Sequence, residues 1–297
     1  MSDYMLSCCS TADLTEEHFL RREISYVGFH YELGGVRYLD DLGKTIDFPT
    51  FYQAMADGVR TKTSPVSVDE FETYFEKILY KGKDILHVCL SSGLSDVMSA
   101  AMEARKHLME RYPERKIFIV DSLGASSGYG LLMDQLADLR DEGYSLGELY
   151  EWAMANRKKL NHWFFSTDLT YYVRGGRISR AAGSIGNALD ICPLLNMDDA
   201  GHLVPRYKIR TKKRVIQAIV DQMENCAKAH TAYDGKCYLS HSNCYEDARA
   251  VADLVEERFP RLNGPVEIYD VGTTIGSHTG PDTVALFFWG QERMHEK

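Results

Sequence analysis

Cys89-Leu-Ser-Ser-Gly-Leu-Ser-Asp-Val-Met98 is the stretch on which the fold turns. Ahead of it, Ile85–Leu90 is an apolar run of strand length. Behind it, Val97–Glu110 carries apolar residues at helical spacing. A strand that turns into a helix through small hydroxyl residues leaves backbone N–H groups pointing at one spot. The helix dipole adds partial positive charge there, so the corner suits a carboxylate or phosphate. A plain helix cap would look the same in isolation, and the rest of the chain has to decide.

Outward from that corner the same unit recurs. Tyr4–Ser10, Ser25–Tyr31 and Lys116–Asp121 read as strands. Thr15 caps a helix from Glu16, and Asp47 caps another through Ala56. Ser67 with Glu70, and Ser145 with Glu148, spell capping boxes for the helices that follow them. Between them, Thr61–Ser67 reads as a polar loop and Ser122–Gly130 as a second small-residue turn. Alternating strands and helices predict a mostly parallel sheet covered on both faces, with ligands at the carboxyl ends of its strands. After about residue 160 the pattern changes. Ile191–Met197 and His202–Ile209 flank a hairpin turn at Asp198–Gly201, and helices at Thr211 and Tyr245–Phe259 alternate with short strands up to Thr283–Trp289. The expectation is an α/β chain of two domains, 1–160 and 161–297, the second of α+β type.

Bulk properties narrow the function. The chain has 297 residues, 44% hydrophobic and 26% charged, as a globular protein would. Its formal net charge of −9 argues against a general nucleic-acid binder. No apolar run reaches the ~18 residues of a bilayer span, so stable membrane insertion is not expected. Met1–Ser7 lacks the basic and apolar regions of a signal peptide. The seven cysteines are odd in number and form no Cys-x-x-Cys pair, which points to reduced thiols, a cytoplasmic setting and no metal site.

Four stretches could carry chemistry. Gly124-Ala-Ser126-Ser127-Gly128 matches the Gly-x-Ser-x-Gly elbow of serine hydrolases, with Asp270 and His278 downstream in the order of that class. The same glycines resemble a dehydrogenase nucleotide turn, but the turn follows a late strand, and the Tyr112–Lys116 pair is broken by Pro113. Thr63-Ser64-Pro65 is a hydroxyl-bearing loop. Arg174-Gly-Gly-Arg177-Ile-Ser179 sets an arginine after two glycines, where it could fork onto a carboxylate or phosphate. Ile275-Gly-Ser-His278-Thr-Gly-Pro281 lies between two strands as a dense glycine-hydroxyl loop around one histidine.

Taken in order, these pieces resemble the DegV family of bacterial fatty-acid-binding proteins. The matching segments are Ser10-Thr-Ala-Asp-Leu14, Lys62-Thr-Ser64, Ser91-Ser-Gly-Leu-Ser95, Asp121-Ser122 with Ser126, Gly128 and Gly130, Gly175-Gly-Arg-Ile-Ser179, Pro193-Leu-Leu195, Ser240-His-Ser-Asn243, and Ile275–Pro281 leading into Ala285–Phe288. The resemblance implies a Rossmann-like three-layer N-terminal domain, an α+β C-terminal domain and one long-chain fatty acid between them. It implies a carrier rather than an enzyme, with no cofactor, which presents its ligand to the catalytic subunit of a separate fatty acid kinase for phosphorylation to acyl phosphate. Carried onto this chain, Thr63 and Ser95 match the pair that hydrogen-bonds the carboxylate, and Arg177 and His278 match the positively polar side of the site. Ser64, Ser92, Gly93 and Ser126 are further candidates. The tunnel for the tail is expected among Ile185–Leu195 and Ala285–Trp289.

The chain departs from the family pattern at Cys9, Asp96 and Asp282, and Pro65 comes one place early. Asp96 bears most on function, because a carboxylate beside Ser95 would compete with an anionic ligand if it pointed inward. A serine hydrolase using Ser126 and His278 is the alternative reading.

Overall fold

The computed structural model describes residues 3–180 and 191–293. In chain order the elements are β1 (Tyr4–Cys9), α1 (Glu16–Arg21), β2 (Ile24–Val27), β3 (His30–Leu33), β4 (Val36–Leu39), α2 (Phe48–Ala56), β5 (Thr61–Ser64), α3 (Val68–Leu79), β6 (Asp84–Cys89), α4 (Val97–Arg111), β7 (Ile117–Asp121), α5 (Ser126–Asp141) and α6 (Leu146–Asn156). There follow β8 (Leu160–Ser166), α7 (Thr170–Arg174), β9 (Ile191–Met197), β10 (Leu203–Arg210), α8 (Lys212–Cys226), β11 (Tyr238–His241), α9 (Tyr245–Arg258), β12 (Glu267–Asp270), α10 (Thr273–Thr279) and β13 (Thr283–Trp289).

The first sheet has the order β2-β1-β6-β7 and is parallel throughout. Its central strands are buried on both faces, with helices packed over them, as short apolar strands joined by helical crossovers require. The second sheet is mixed, in the order β10-β9-β8-β13-β11-β12, with only β11 and β12 parallel. Its outer face packs on α8 and α9 through Val215, Ile219, Val251 and Val255. The fold is therefore α/β with a parallel and a separate mixed sheet, the class that the strand–helix alternation and its later change predict.

Two local expectations change. Thr61–Ser67 does not stay a loop, because Thr61–Ser64 pairs antiparallel with β3 to complete a small sheet, β4-β3-β5. Ser25–Tyr31 is two strands, broken at Gly28-Phe29, where the Phe29 carbonyl accepts the Asp40 N–H at 2.8 Å. Both capping boxes form as spelled: the Ser67 and Ser145 side chains accept the N–H groups of Glu70 and Glu148. The helix that Thr211 precedes forms too, but Thr211 gives it no side-chain cap.

Helix α5 sets the geometry between the sheets. Twelve of its residues are buried, from Ser126 to Leu139, because it packs on the first sheet and also on β11 and β13 of the second. On its second half Asp134 lies almost fully covered. Its carboxylate accepts Lys236 Nζ at 2.5 Å and His18 Nε2 at 3.2 Å, with Arg22 Nε 2.8 Å away. Burial pushes the Asp134 carboxyl up. The His18 and Lys236 hydrogen bonds and the Lys236 and Arg22 charges outweigh it and hold the group well below the carboxylate range. Lys236 comes from the second half of the chain, so this ion cluster ties the two domains together.

The Asp134→Asn variant should lose about 2 kcal/mol of unfolding free energy at neutral pH, the worth of its charge-assisted hydrogen bonds, because Asp138 still pairs with Arg22 and Lys236. Because the folded-state pKa is depressed, the wild type holds this stability above about pH 4 and loses it as the pH falls towards the folded value. Urea denaturation of both proteins should therefore converge in acid; a gap that stays constant with pH would refute the assignment.

Candidate functional site

Between the two sheets lies a cavity of about 540 Å³, within the range of ligand sites. Apolar side chains dominate its wall. Phe164 of β8 and Ala285 and Phe287 of β13 form one side, and Leu90, Leu94 and Ala125 from the ends of the parallel strands face them. Parallel-sheet ligands bind at those carboxyl ends, and the opening corner of the sequence sits there.

Polar groups converge at one place on the wall, and they come from four separate segments. Thr63 arrives on β5, Ser95 in the turn before α4, Arg177 after α7 and His278 in the last turn of α10. His278 Nε2 is 2.7 Å from Thr63 Oγ1, and Arg177 Nη1 is 3.2 Å from His278 Nδ1. Arg177 also donates to the Gly175 carbonyl at 2.5 Å and the Leu94 carbonyl at 2.8 Å. Close approach here depends on Gly175, since a Cβ at that position would stand 2.4 Å from His278 Nδ1.

The hydrogen-bond directions follow from chemistry. A guanidinium has no lone pair to offer, so His278 Nδ1 is the acceptor. Burial, with help from the Arg177 charge, pushes the His278 imidazole down to about 3, so the ring is neutral at physiological pH. Its one proton is then on Nε2 and is donated to Thr63 Oγ1. Thr63 is left with its own hydroxyl hydrogen free to donate into the cavity. Ser95 Oγ accepts the Val97 N–H at 3.3 Å, which likewise leaves its hydrogen to give. Two hydroxyl donors and a half-buried guanidinium, whose pKa burial lowers from a very high starting value, therefore line the same cavity. Such a set suits an anion with two oxygens.

Asp96 borders the same cavity, but its side chain is exposed and its Oδ1 accepts the Ser99 hydroxyl at 2.9 Å along the outside of α4. It does not occupy the anion position. Ser64, Ser92 and Gly93 are not part of the cavity wall. Ser92 donates to Asp121 Oδ2 at 2.5 Å, and Gly93 is pressed against the Gly201 carbonyl of the β9–β10 turn. His278 sits in a short helix rather than a loop, two residues before Gly280, whose φ is +69°.

Ser126 does line the cavity and has the strained backbone of an elbow, with φ of 55°. Its hydroxyl, however, faces Asp13 Oδ2 at 2.5 Å and Ser240 Oγ at 2.9 Å, and no histidine is its partner among the described residues. Both nitrogens of His278 are already committed to Arg177 and Thr63. The geometry therefore lacks the base that the hydrolase reading needs. Asp13 itself is buried, which pushes its carboxyl up, as it does for Asp40 nearby. Residue patterns gave no sign of that buried acid pair. Among the described residues, no group of His, Cys, Asp or Glu could hold a metal, and no helix is long and apolar enough to cross a membrane.

The tautomer assignment can be read directly. In ¹⁵N-detected NMR, His278 should keep one protonated and one bare nitrogen from pH 8 down to about pH 4, whereas a free histidine titrates near 6.5. Titration of His278 near 6.5 would contradict the relay.

A family model described as "Uncharacterised protein, DegV family" matches residues 9–291. A DegV domain-containing protein of Clostridium perfringens is 32% identical over 293 residues, covering 99% of each chain. One from Streptococcus pyogenes is 32% identical over 283 residues, covering 95% of this chain and 96% of the relative. Among solved structures, a fatty-acid-binding DegV family protein from Thermus thermophilus superposes with a TM-score of 0.85 at 23% identity, over 97% of this chain and 99% of that one. The Streptococcus pneumoniae Fatty Acid Kinase (Fak) B3 protein loaded with linoleic acid gives 0.84 at 21% identity, over 98% and 100%. By near full-length match to the family model and to relatives above 30% identity, the chain belongs to the DegV family.

Proposed function

We propose that this protein binds one long-chain fatty acid in the cavity between its domains and presents the carboxylate to a separate fatty acid kinase, which converts it to an acyl phosphate. The observation that carries the reading is the Arg177–His278–Thr63 chain, which ends in a free hydroxyl donor on the wall of a mainly apolar cavity. The fatty acids held by the Thermus and pneumococcal relatives support it.

Each part of the ligand has a counterpart. The alkyl tail gains roughly 0.8 kcal/mol per buried methylene and supplies most of the affinity. Thr63 and Ser95 donate to the carboxylate oxygens, and Arg177 supplies the positive charge. His278 acts as a positioning residue: it turns the Thr63 hydroxyl into an obligate donor. Thr63, Ser95, Arg177 and His278 are each partly exposed, so a second protein can reach the head group. Nothing in this assignment asks the chain itself to turn over substrate. None of the seven cysteines is in a disulfide, in keeping with a cytoplasmic setting. The reading puts the domain division at 160/161, where the segment after α6 gives way to β8, with the ligand between 1–160 and 161–297.

Delipidated protein titrated with palmitate or oleate should bind one equivalent. Thr63→Val should weaken binding about tenfold and Arg177→Gln about 10- to 100-fold, from one neutral and one charge-assisted hydrogen bond respectively. Methyl palmitate, which lacks the anion, should bind more weakly than palmitate to wild type but not to Arg177→Gln. Failure of the wild type to bind either acid would overturn the proposal.

A further inference from the structure

His162 stands apart from everything the head-group site explains. It lies in β8, is only 2% exposed and borders the ligand cavity. Neither ring nitrogen has a hydrogen-bond partner among the described residues. A buried imidazole with both nitrogens unpaired is costly, and such a group calls for a physical explanation.

Its place is built rather than incidental. A Cβ at Gly128 would fall 2.4 Å from His162 Cε1 and 2.5 Å from Nδ1, and one at Gly124 would fall 2.9 Å from Cε1. Two glycines at the start of α5 thus make the room that the ring fills. The ring also meets Phe287 edge-on, with centroids 5.1 Å apart.

The position along the cavity is set by strand register. His162 pairs with Phe287, and Ser166 pairs with Thr283. The Tyr172 hydroxyl, 2.9 Å from Thr283 Oγ1, ties the Thr283 end to the helix that leads into Gly175 and Arg177. Four residues of strand separate His162 from Ser166, about 13 Å. Along this wall, His162 therefore lies beside the alkyl chain and away from the carboxylate.

We infer that His162 reads a hydroxyl group carried on the acyl chain, so that hydroxy fatty acids are a preferred ligand class. This rests on the fatty-acid reading of the cavity. With both nitrogens covered, the ring offers no polar atom to the lumen. A half-turn about Cβ–Cγ exchanges Nδ1 with Cδ2 and Nε2 with Cε1 and leaves the ring's outline unchanged. A plain chain then meets C–H, and a hydroxyl meets nitrogen. The neutral ring has one donor and one acceptor, and a hydroxyl is also both, so it can pair with either nitrogen. Burial drives the ring strongly towards that neutral form. An all-apolar wall would instead penalise a hydroxyl for losing water.

The test compares stearate with a series of hydroxystearates that carry the hydroxyl at successive positions, titrated into delipidated full-length protein and its His162→Leu variant. In the wild type, at least one isomer with a hydroxyl well along the chain should bind at least as tightly as stearate. The hydroxystearate-to-stearate affinity ratio for that isomer should fall about tenfold in His162→Leu, the worth of one hydrogen bond. The imidazole ¹⁵N resonances of wild-type His162 should shift with that isomer and not with stearate, a readout that needs no variant. If every hydroxystearate binds the wild type more weakly than stearate, and by the same factor as it binds the variant, the inference is overturned while the fatty-acid reading stands. If stearate itself does not bind, both fall.

Discussion

The hydrogen-bond chain through Arg177 is the constraint on which the site depends. A guanidinium only donates, so each neighbour it touches must accept: the Leu94 carbonyl, the Gly175 carbonyl and Nδ1 of His278. Leu94 belongs to the turn after the parallel sheet, whereas Gly175 and His278 belong to the second half of the chain. Arg177 therefore finds its three acceptors only when the two domains are docked. The docking rests on α5, which is buried between the sheets, and on Asp134, whose carboxylate gathers His18, Arg22 and Lys236. Head-group chemistry and domain packing are in this way one arrangement.

That arrangement explains how a chain of net charge −9 can hold an anion. The sum of charges governs long-range behaviour, while binding is decided within a few ångströms. There, the Arg177 guanidinium and two hydroxyl donors line the cavity, with Lys62 and Arg174 also on its wall, and Asp96 turns away to Ser99. The same local view tells against a hydrolase. Ser126 has the backbone of a nucleophile but faces a buried carboxyl and a serine, and His278 is used up in fixing the direction of a hydroxyl.

Much of this was legible in the residues, and what was not has physical causes. The capping boxes at Ser67 and Ser145 are local chemistry, so they read correctly. The parallel sheet followed from short apolar strands set between helical patterns. Strand β5 was missed because Thr-Lys-Thr-Ser has no alternation of its own and becomes a strand only by pairing with β3. Helix α10 was missed because its glycines and hydroxyls are poor helix formers; it is held by Tyr52 and Tyr171 packed against Gly276 and Gly280. Thr63, Ser95, Arg177 and His278 emerged from ordered short motifs, yet nothing in the residues showed that one imidazole would join two of them. His162 was hidden altogether, since the lack of a partner is a property of three dimensions. Of the expected tunnel segments, Ala285 and Phe287 line the cavity, residues 191–195 do not, and residues 185–190 lie outside the described residues.

The central claim is that an ionised carboxylate rests on the Thr63, Ser95 and Arg177 donors. The most direct measurement is ¹³C NMR of carboxyl-labelled palmitate bound to the protein and titrated with acid. The account expects a single bound resonance that keeps its carboxylate position well below the pH at which an ordinary carboxyl, near 4, takes up its proton. A bound resonance that titrates in the ordinary range or above it, or several bound resonances of equal weight, would contradict it.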